Sequence, residues 1–167
     1  MIRVVVDDLA FLAADAIIRP SNEHLDPVTP AVSRLDAQAG EGFTSQRRMQ
    51  SALDVGAAVV TGAGDLAASF VVHAVIQSDH TRSSPDSVRR ALLSAWQRAN
   101  DWELRSIATP LIGSGAGQLS LEDAATILAE TLEEHRQRAQ YPTDVQIVLE
   151  REVDRSAVEA VIARRPL

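Results

Sequence analysis

The runs Ile2 to Val6, Ala16 to Ile18, Ala57 to Thr61, Phe70 to Ile76, Ser106 to Ile112 and Val145 to Glu150 are short, apolar and nearly unbroken rather than alternating. Strands of that kind are apolar on both faces, and both faces have to be covered. The segments between them supply the cover. Residues 30–39 and 44–54 mix apolar and polar positions as surface helices do, and Ser87 to Asp101 sets Val88, Leu92, Leu93, Ala95, Trp96 and Ala99 along one broad stripe. Ser84-Pro85 reads as an N-cap followed by proline at the first helical position. Ser120-Leu121-Glu122-Asp123 resembles a capping box with Asp in place of Glu, and a last helix is expected over Asp154 to Arg164. The pattern predicts an α/β fold, a three-layer α/β/α sandwich around a mixed, mostly parallel six-stranded sheet. Gln77 to Ser84 and Glu134 to Thr143 read as connecting loops because strong elements resume on both sides, so residues 1–167 are expected to form a single domain.

With 167 residues and 46% apolar content, the chain can bury one substantial core. No stretch approaches the ~18 consecutive apolar residues of a membrane span, and Met1 leads directly into a strand rather than a basic and then apolar leader. A cytoplasmic protein without a membrane partner is expected. Cysteine is absent, which removes disulfides, thiolate nucleophiles and Cys-based zinc sites. All 16 basic residues are arginine, so lysine nucleophiles and Schiff bases are excluded as well. The formal charge of −7 argues against general binding to nucleic-acid backbones. His24, His80 and His135 show no metal-ligand spacing; neither a metal site nor a cofactor is expected.

The stretch Ser106 to Ser120 carries the strongest chemical signal, because an apolar strand empties into a turn with glycines at 113, 115 and 117 and then into a helix start. Such a turn lets the backbone approach a ligand closely and converge N–H groups on anionic oxygens, helped by the helix N-terminus. The same glycines also suit an ordinary tight strand-to-helix connection. This stretch alone does not choose between the two.

Other segments do. In order along the chain, Asp7-Asp8-Leu9 follows the first strand, and Asp15-Ala16-Ile17-Ile18-Arg19-Pro20-Ser21-Asn22 follows a short helical turn. Thr61-Gly62-Ala63-Gly64, Phe70-Val71-Val72-His73-Ala74-Val75 and the Ile112 to Gly117 loop come after them. Together these resemble a macro domain, the ADP-ribose-binding module. In that family the first strand ends in Gly-Asp-Ile or Gly-Asp-Leu, the second in Asn-Ala-Ala-Asn, and a later strand reads Tyr-Val-Ile-His. The matching segments cover nearly the whole chain.

The resemblance implies a set of ligand contacts: Asp8, Asn22, Gly113, Ser114, Gly115, Ala116 and Gly117. Asp8 stands where the family's aspartate accepts a hydrogen bond from the adenine amino group, a task suited to an acceptor-only carboxylate. It would serve equally as N-cap of the turn Leu9 to Ala13. Asn22 falls on the last Asn of Asn-Ala-Ala-Asn, which in hydrolytic members positions the distal ribose, while an Asn at a strand end also satisfies turn backbone. Ser114 offers a hydroxyl to phosphate or to local backbone. His73 is expected to be a structural histidine of the sheet.

Three departures matter. Arg19 replaces the first Asn of the motif, and Gly117 stands where many relatives stack an aromatic on the distal ribose. The family's first glycine loop, which ends in Val-Asp, becomes Pro27-Val28-Thr29-Pro30-Ala31-Val32. Its two prolines donate no N–H, and Val32 replaces the aspartate that hydrolytic relatives use on water or ribose. The expected function is binding of ADP-ribose or a related nucleotide diphosphate, with an ADP-ribosylated protein as a further partner and without strong hydrolase activity. An alternative is an ADP-ribosyl hydrolase or ADP-ribose phosphate phosphatase working through Asn22 and a bound water. A second alternative is a scaffold that has lost the nucleotide and serves protein interaction.

Overall fold

The computed structural model describes residues 1–115 and 119–167. Among these residues six strands, β1 (Ile2–Val6), β2 (Ala16–Asn22), β3 (Ala58–Gly62), β4 (Phe70–Gln77), β5 (Ser106–Thr109) and β6 (Asp144–Leu149), form one sheet in the order β1-β6-β5-β2-β4-β3. Every pairing is parallel except β3 against β4. The α-helices α1 (Pro30–Arg48), α2 (Pro85–Asp101), α3 (Leu121–Arg136) and α4 (Arg155–Ile162) complete the expected α/β sandwich. No helix among the described residues is long and apolar enough to cross a membrane.

Two apolar layers hold the sheet. Trp96, Leu92 and Val88 from α2 and Leu128 and Leu132 from α3 pack with Ile18, Val72 and Ile107 on one face. Leu35, Ala39 and Phe43 from α1 pack with Ile17, Val71 and Ala108 on the other. Trp96 is fully buried, and its indole N–H is satisfied by Thr131 Oγ1 at 3.0 Å, which ties α2 to α3.

Several boundaries differ from the sequence reading, each for a local reason. β2 runs on through Pro20 to Asn22, because its pairing with β5 covers only Ala16 and Ile17. Beyond that point one side of β2 has no ladder to serve, and a residue without an N–H is tolerated. β5 stops at Thr109, just before Pro110. The two expected helices 30–39 and 44–54 are one element, α1, ending at Arg48 and broken at Gly40, whose φ of 88° a residue with a Cβ resists. A Cβ there would also meet Asp65 Oδ2 at 2.6 Å. Ser120 caps α3 by accepting from Asp123 N–H at 3.1 Å, whereas the reciprocal capping box occurs at Ser84 and Ser87 on α2. The last helix begins as a short 3-10 turn, Glu152–Asp154, and α4 ends at Ile162.

Candidate functional site

A cleft of about 900 Å³ opens at the carboxyl ends of the strands, between the start of α1 and the loop after β5. Parallel α/β sheets hold ligands there because strand ends, loops and helix N-termini converge. The lining changes along the sheet. At the β1–β6 end it is charged, with Asp7, Asp8, Glu150, Arg151 and Asp154 joined by Arg34 from α1. Both arginines already have partners: Arg34 Nη2 lies 3.2 Å from Glu150 Oε1, and Arg151 forms a two-pronged pair with Asp154 at 2.9 Å on each side. Toward β2 and β4 the wall becomes Pro20, Val28, Ile76, Pro110, Leu111 and Leu121.

Asp8 lines the cleft and acts as an N-cap too: its Oδ1 accepts from Ala10 N–H at 3.0 Å, opening the 3-10 turn Leu9–Phe11. Asp7 Oδ1 in turn accepts from Asp8 N–H at 2.7 Å. Each hydrogen bond occupies one oxygen of a carboxylate that has two. Two acidic oxygens are thereby left at the charged end.

The middle of the cleft is formed by the two loops the sequence singled out. Thr29 caps α1, accepting from Val32 N–H on its hydroxyl at 3.2 Å and from Ser33 N–H on its carbonyl at 3.0 Å. Pro30 has no N–H, so Ala31 supplies the one amide of the first turn that meets no acceptor among the described residues. Across from it, Gly113 has φ 93° and turns the chain out of β5. Gly115 lies so close to Thr29 that a Cβ on it would meet Thr29 Cγ2 at 2.9 Å. Gly113, Ser114 and Gly115 all line the cleft, whereas Ala116 and Gly117 lie outside the described residues. The Ser114 hydroxyl donates to Leu111 C=O at 2.8 Å, which commits its one proton to local backbone.

Asn22 is at the end of β2 and is not among the cleft-lining residues. Its amide oxygen accepts from His24 N–H and Asp26 N–H, both at 2.9 Å, and so holds the turn after the strand. That turn also draws Glu23, His24 and Asp79 together, one ligand atom from each within 4.8 Å of the others. Glu23 Oε1 accepts from Asp79 N–H at 3.0 Å, and this bond lowers the Glu23 carboxyl below its ordinary range.

Beneath the start of α1 lies a buried polar network that composition does not reveal. Arg19, fully buried on β2, forms a bidentate pair with Asp36 of α1, Nε to Oδ1 at 2.8 Å and Nη2 to Oδ2 at 2.6 Å. Arg47 reaches the same carboxylate at 3.6 Å and donates to Leu25 C=O and Asp26 Oδ1. Arg19 Nη1 is 3.2 Å from His73 Nδ1, and His73 Nε2 is 2.8 Å from Thr61 Oγ1. The proton positions follow. Thr61 donates its hydroxyl proton to Gly62 C=O at 3.0 Å, so it accepts from His73 Nε2–H, leaving Nδ1 as the lone pair that receives the Arg19 N–H. Only neutral imidazole fits. Burial, and then the charges of Arg19 and Arg47, hold the His73 pKa well below the ordinary 6.5. Phe43 stacks on the ring at 5.6 Å. His73 is therefore structural, and the network clamps α1, whose N-terminus walls the cleft, to β2 and β4. Sequence reasoning missed Asp36 and Arg47; the available signal was a carboxylate on the stripe Val32, Leu35, Ala39, Phe43.

Known proteins bear on the fold and on kinship. The Macro domain family profile matches residues 20–128. An uncharacterized protein of Mycobacterium tuberculosis is 26% identical over 129 residues, and the chain spans 36% of that relative's length and 77% of its own. A Pantoea vagans protein named O-acetyl-ADP-ribose deacetylase 1 is 27% identical over 137 residues, covering 78% of this chain and 80% of that one. Among solved structures, a mutant Oceanobacillus iheyensis macrodomain with ADPR superposes at TM-score 0.84 with 20% identity, covering 96% of this chain and 91% of that one. A profile spanning more than half of the sequence, together with this sheet order, decides kinship: the chain belongs to the Macro domain family.

Proposed function

We propose that the chain binds ADP-ribose or a related adenosine diphosphate in this cleft, without strong ADP-ribosyl hydrolase activity. The observation that carries the reading is an open volume of about 900 Å³ between a helix N-terminus and a glycine turn. Ligand pockets for molecules of this size run to roughly 300–1,000 Å³. Charge supports the polarity: the Asp8 carboxylate at the β1 end suits the amino group of a base. The Ala31 N–H, the Thr29 hydroxyl proton and the Gly113–Gly115 turn suit a diphosphate in the middle. The Oceanobacillus neighbour was solved with ADPR. Against catalysis stands the position of the acids. Among the described residues, every carboxylate lining the cleft belongs to the charged end, and Val32 is the side chain at the start of α1. General base catalysis contributes ~100-fold to 10,000-fold, and a valine contributes none of it.

The naming of the Pantoea relative as a deacetylase keeps an enzyme reading in view, but Asn22, expected to act there with a bound water, does not line the cleft and holds the turn after β2. Calorimetric titration with ADP-ribose, ADP and AMP tests binding: the diphosphates are expected to bind and AMP to bind more weakly. Absence of binding by all three at millimolar concentration refutes the reading. A time course on a mono-ADP-ribosylated protein tests catalysis. Rapid release of ADP-ribose by the natural chain that disappears in Asn22→Ala would make the enzyme reading the correct one.

A further inference from the structure

We infer that the β2–β4 end of the cleft is shaped for an apolar terminal group, so that the preferred ligand is a nucleoside diphosphate whose distal phosphate is esterified with an aliphatic group rather than a sugar. The inference rests on the nucleotide-binding reading above and concerns the one part of the ligand which that reading leaves open.

Side chains give the first reason. Pro20, Val28, Ile76, Pro110, Leu111 and Leu121 line this end, and none can donate or accept a hydrogen bond through its side chain. Ser21 and Asn22, the polar residues that follow Pro20 on β2, do not line the cleft.

Backbone gives the second. An apolar wall can still hold a sugar through free peptide groups, and here three carbonyls of the wall are already engaged and two of its residues have no N–H. The Leu111 carbonyl accepts twice, from Ser114 N–H at 3.3 Å and from Ser114 Oγ at 2.8 Å. Thr109 Oγ1 donates to the Pro110 carbonyl at 2.8 Å, and Ser87 Oγ donates to the Ile76 carbonyl at 2.7 Å. Pro20 and Pro110 have no N–H to offer. A ribose placed here would lose water from its hydroxyls and meet no side-chain partner on this wall among the described residues.

The scale of the effect decides the preference. Each buried hydroxyl left without a partner costs about tenfold in affinity, while each buried CH₂ of an aliphatic group gains about fourfold. Each unsatisfied hydroxyl therefore cancels more than one buried carbon of the sugar ring. A four-carbon chain gains on every carbon that reaches the wall.

Competition calorimetry on the intact chain with ADP, ADP-ribose and the β-butyl ester of ADP tests this. The ester is expected to bind at least tenfold tighter than ADP-ribose, and ADP-ribose no tighter than ADP. Leu121→Gln places a donor and an acceptor at the half-buried first position of α3 and is expected to shift the ratio toward ADP-ribose by about tenfold. Thermal melting of that variant, with its ADP affinity, shows whether the cleft is intact. If ADP binds and ADP-ribose binds tenfold tighter than the ester, this inference falls and the nucleotide-binding reading stands. If no adenosine diphosphate binds, both fall. An unchanged ratio in a folded Leu121→Gln that still binds ADP also overturns the assignment of this wall to the terminal group.

Discussion

Replacing Asp36 with Asn should destabilise the fold far more than one surface carboxylate would. Asp36 is 6% exposed and is the shared partner of two buried guanidinium groups: Arg19 bonds both of its oxygens, and Arg47 lies 3.6 Å away. Asparagine keeps the shape but presents an NH₂ to Arg19 and removes the negative charge. Arg47 retains Leu25 C=O and Asp26, whereas Arg19 keeps one amide oxygen, neutral His73 and the face of Phe43 but no anion. Breaking a buried pair by removing one member costs about 3–5 kcal/mol. For a domain of this length each kcal/mol moves Tm by ~2–4 °C, so a fall of roughly 10 °C is expected. Urea unfolding followed by circular dichroism measures the loss, and a value below about 1 kcal/mol refutes the account of Asp36 as the anion that pairs with Arg19. The double variant Arg19→Met with Asp36→Leu sharpens the test. Removing both ions at once abolishes the unpaired charge, so the double variant should be more stable than Asp36→Asn alone. If it is equally unstable, shape rather than charge holds α1 in place.

The neutral histidines give a pH signature. Burial is the chief cause lowering both His73 and His135 from 6.5, so below that pH the unfolded chain binds more protons than the folded one. Stability should be level in these groups above about pH 7 and decline as pH falls through 6.5, by up to about 1.4 kcal/mol per pH unit for each proton; His73→Gln should flatten that slope, and an unchanged slope would show that carboxylates carry it. Asp8→Ala should weaken adenine nucleotides while leaving ribose 5-phosphate little changed, and should cost about 0.5–2 kcal/mol of stability through the lost cap on Ala10, read by titration and by urea unfolding. Gly115→Val should abolish nucleotide binding with the fold retained, since its side chain would collide with Thr29 across the middle of the cleft. Unaltered ADP affinity in that variant would remove the glycine turn from the site.

The local code was legible where one residue decides the outcome. Unbroken apolar strands announced a covered sheet, Ser84-Pro85 announced the start of α2, and Asp8 announced the cap of the turn after β1. The strand read as Ala16 to Ile18 runs on to Asn22, because a proline's effect on a strand depends on whether a neighbour needs its N–H, and β5 has stopped pairing by then. Asn22 was legible only as two roles; its hydrogen bonds to the turn are a fact of conformation.

By itself, then, the order of residues determined the layers, the family resemblance, the proline-bearing loop and the absence of lysine and cysteine chemistry, because each of these depends on residue type and near neighbours. Only the tertiary structure decided that Asp36, Arg47 and His73, from α1 and β4, meet around one buried Arg19 of β2. It alone decided that the cleft runs from charge at β1 and β6 to apolar wall at β2 and β4. Those arrangements join residues far apart in the chain, and the pairing of strands out of sequence order brings them together: β1 and β6, the first and last strands, are neighbours, and the charged end of the cleft exists because they are.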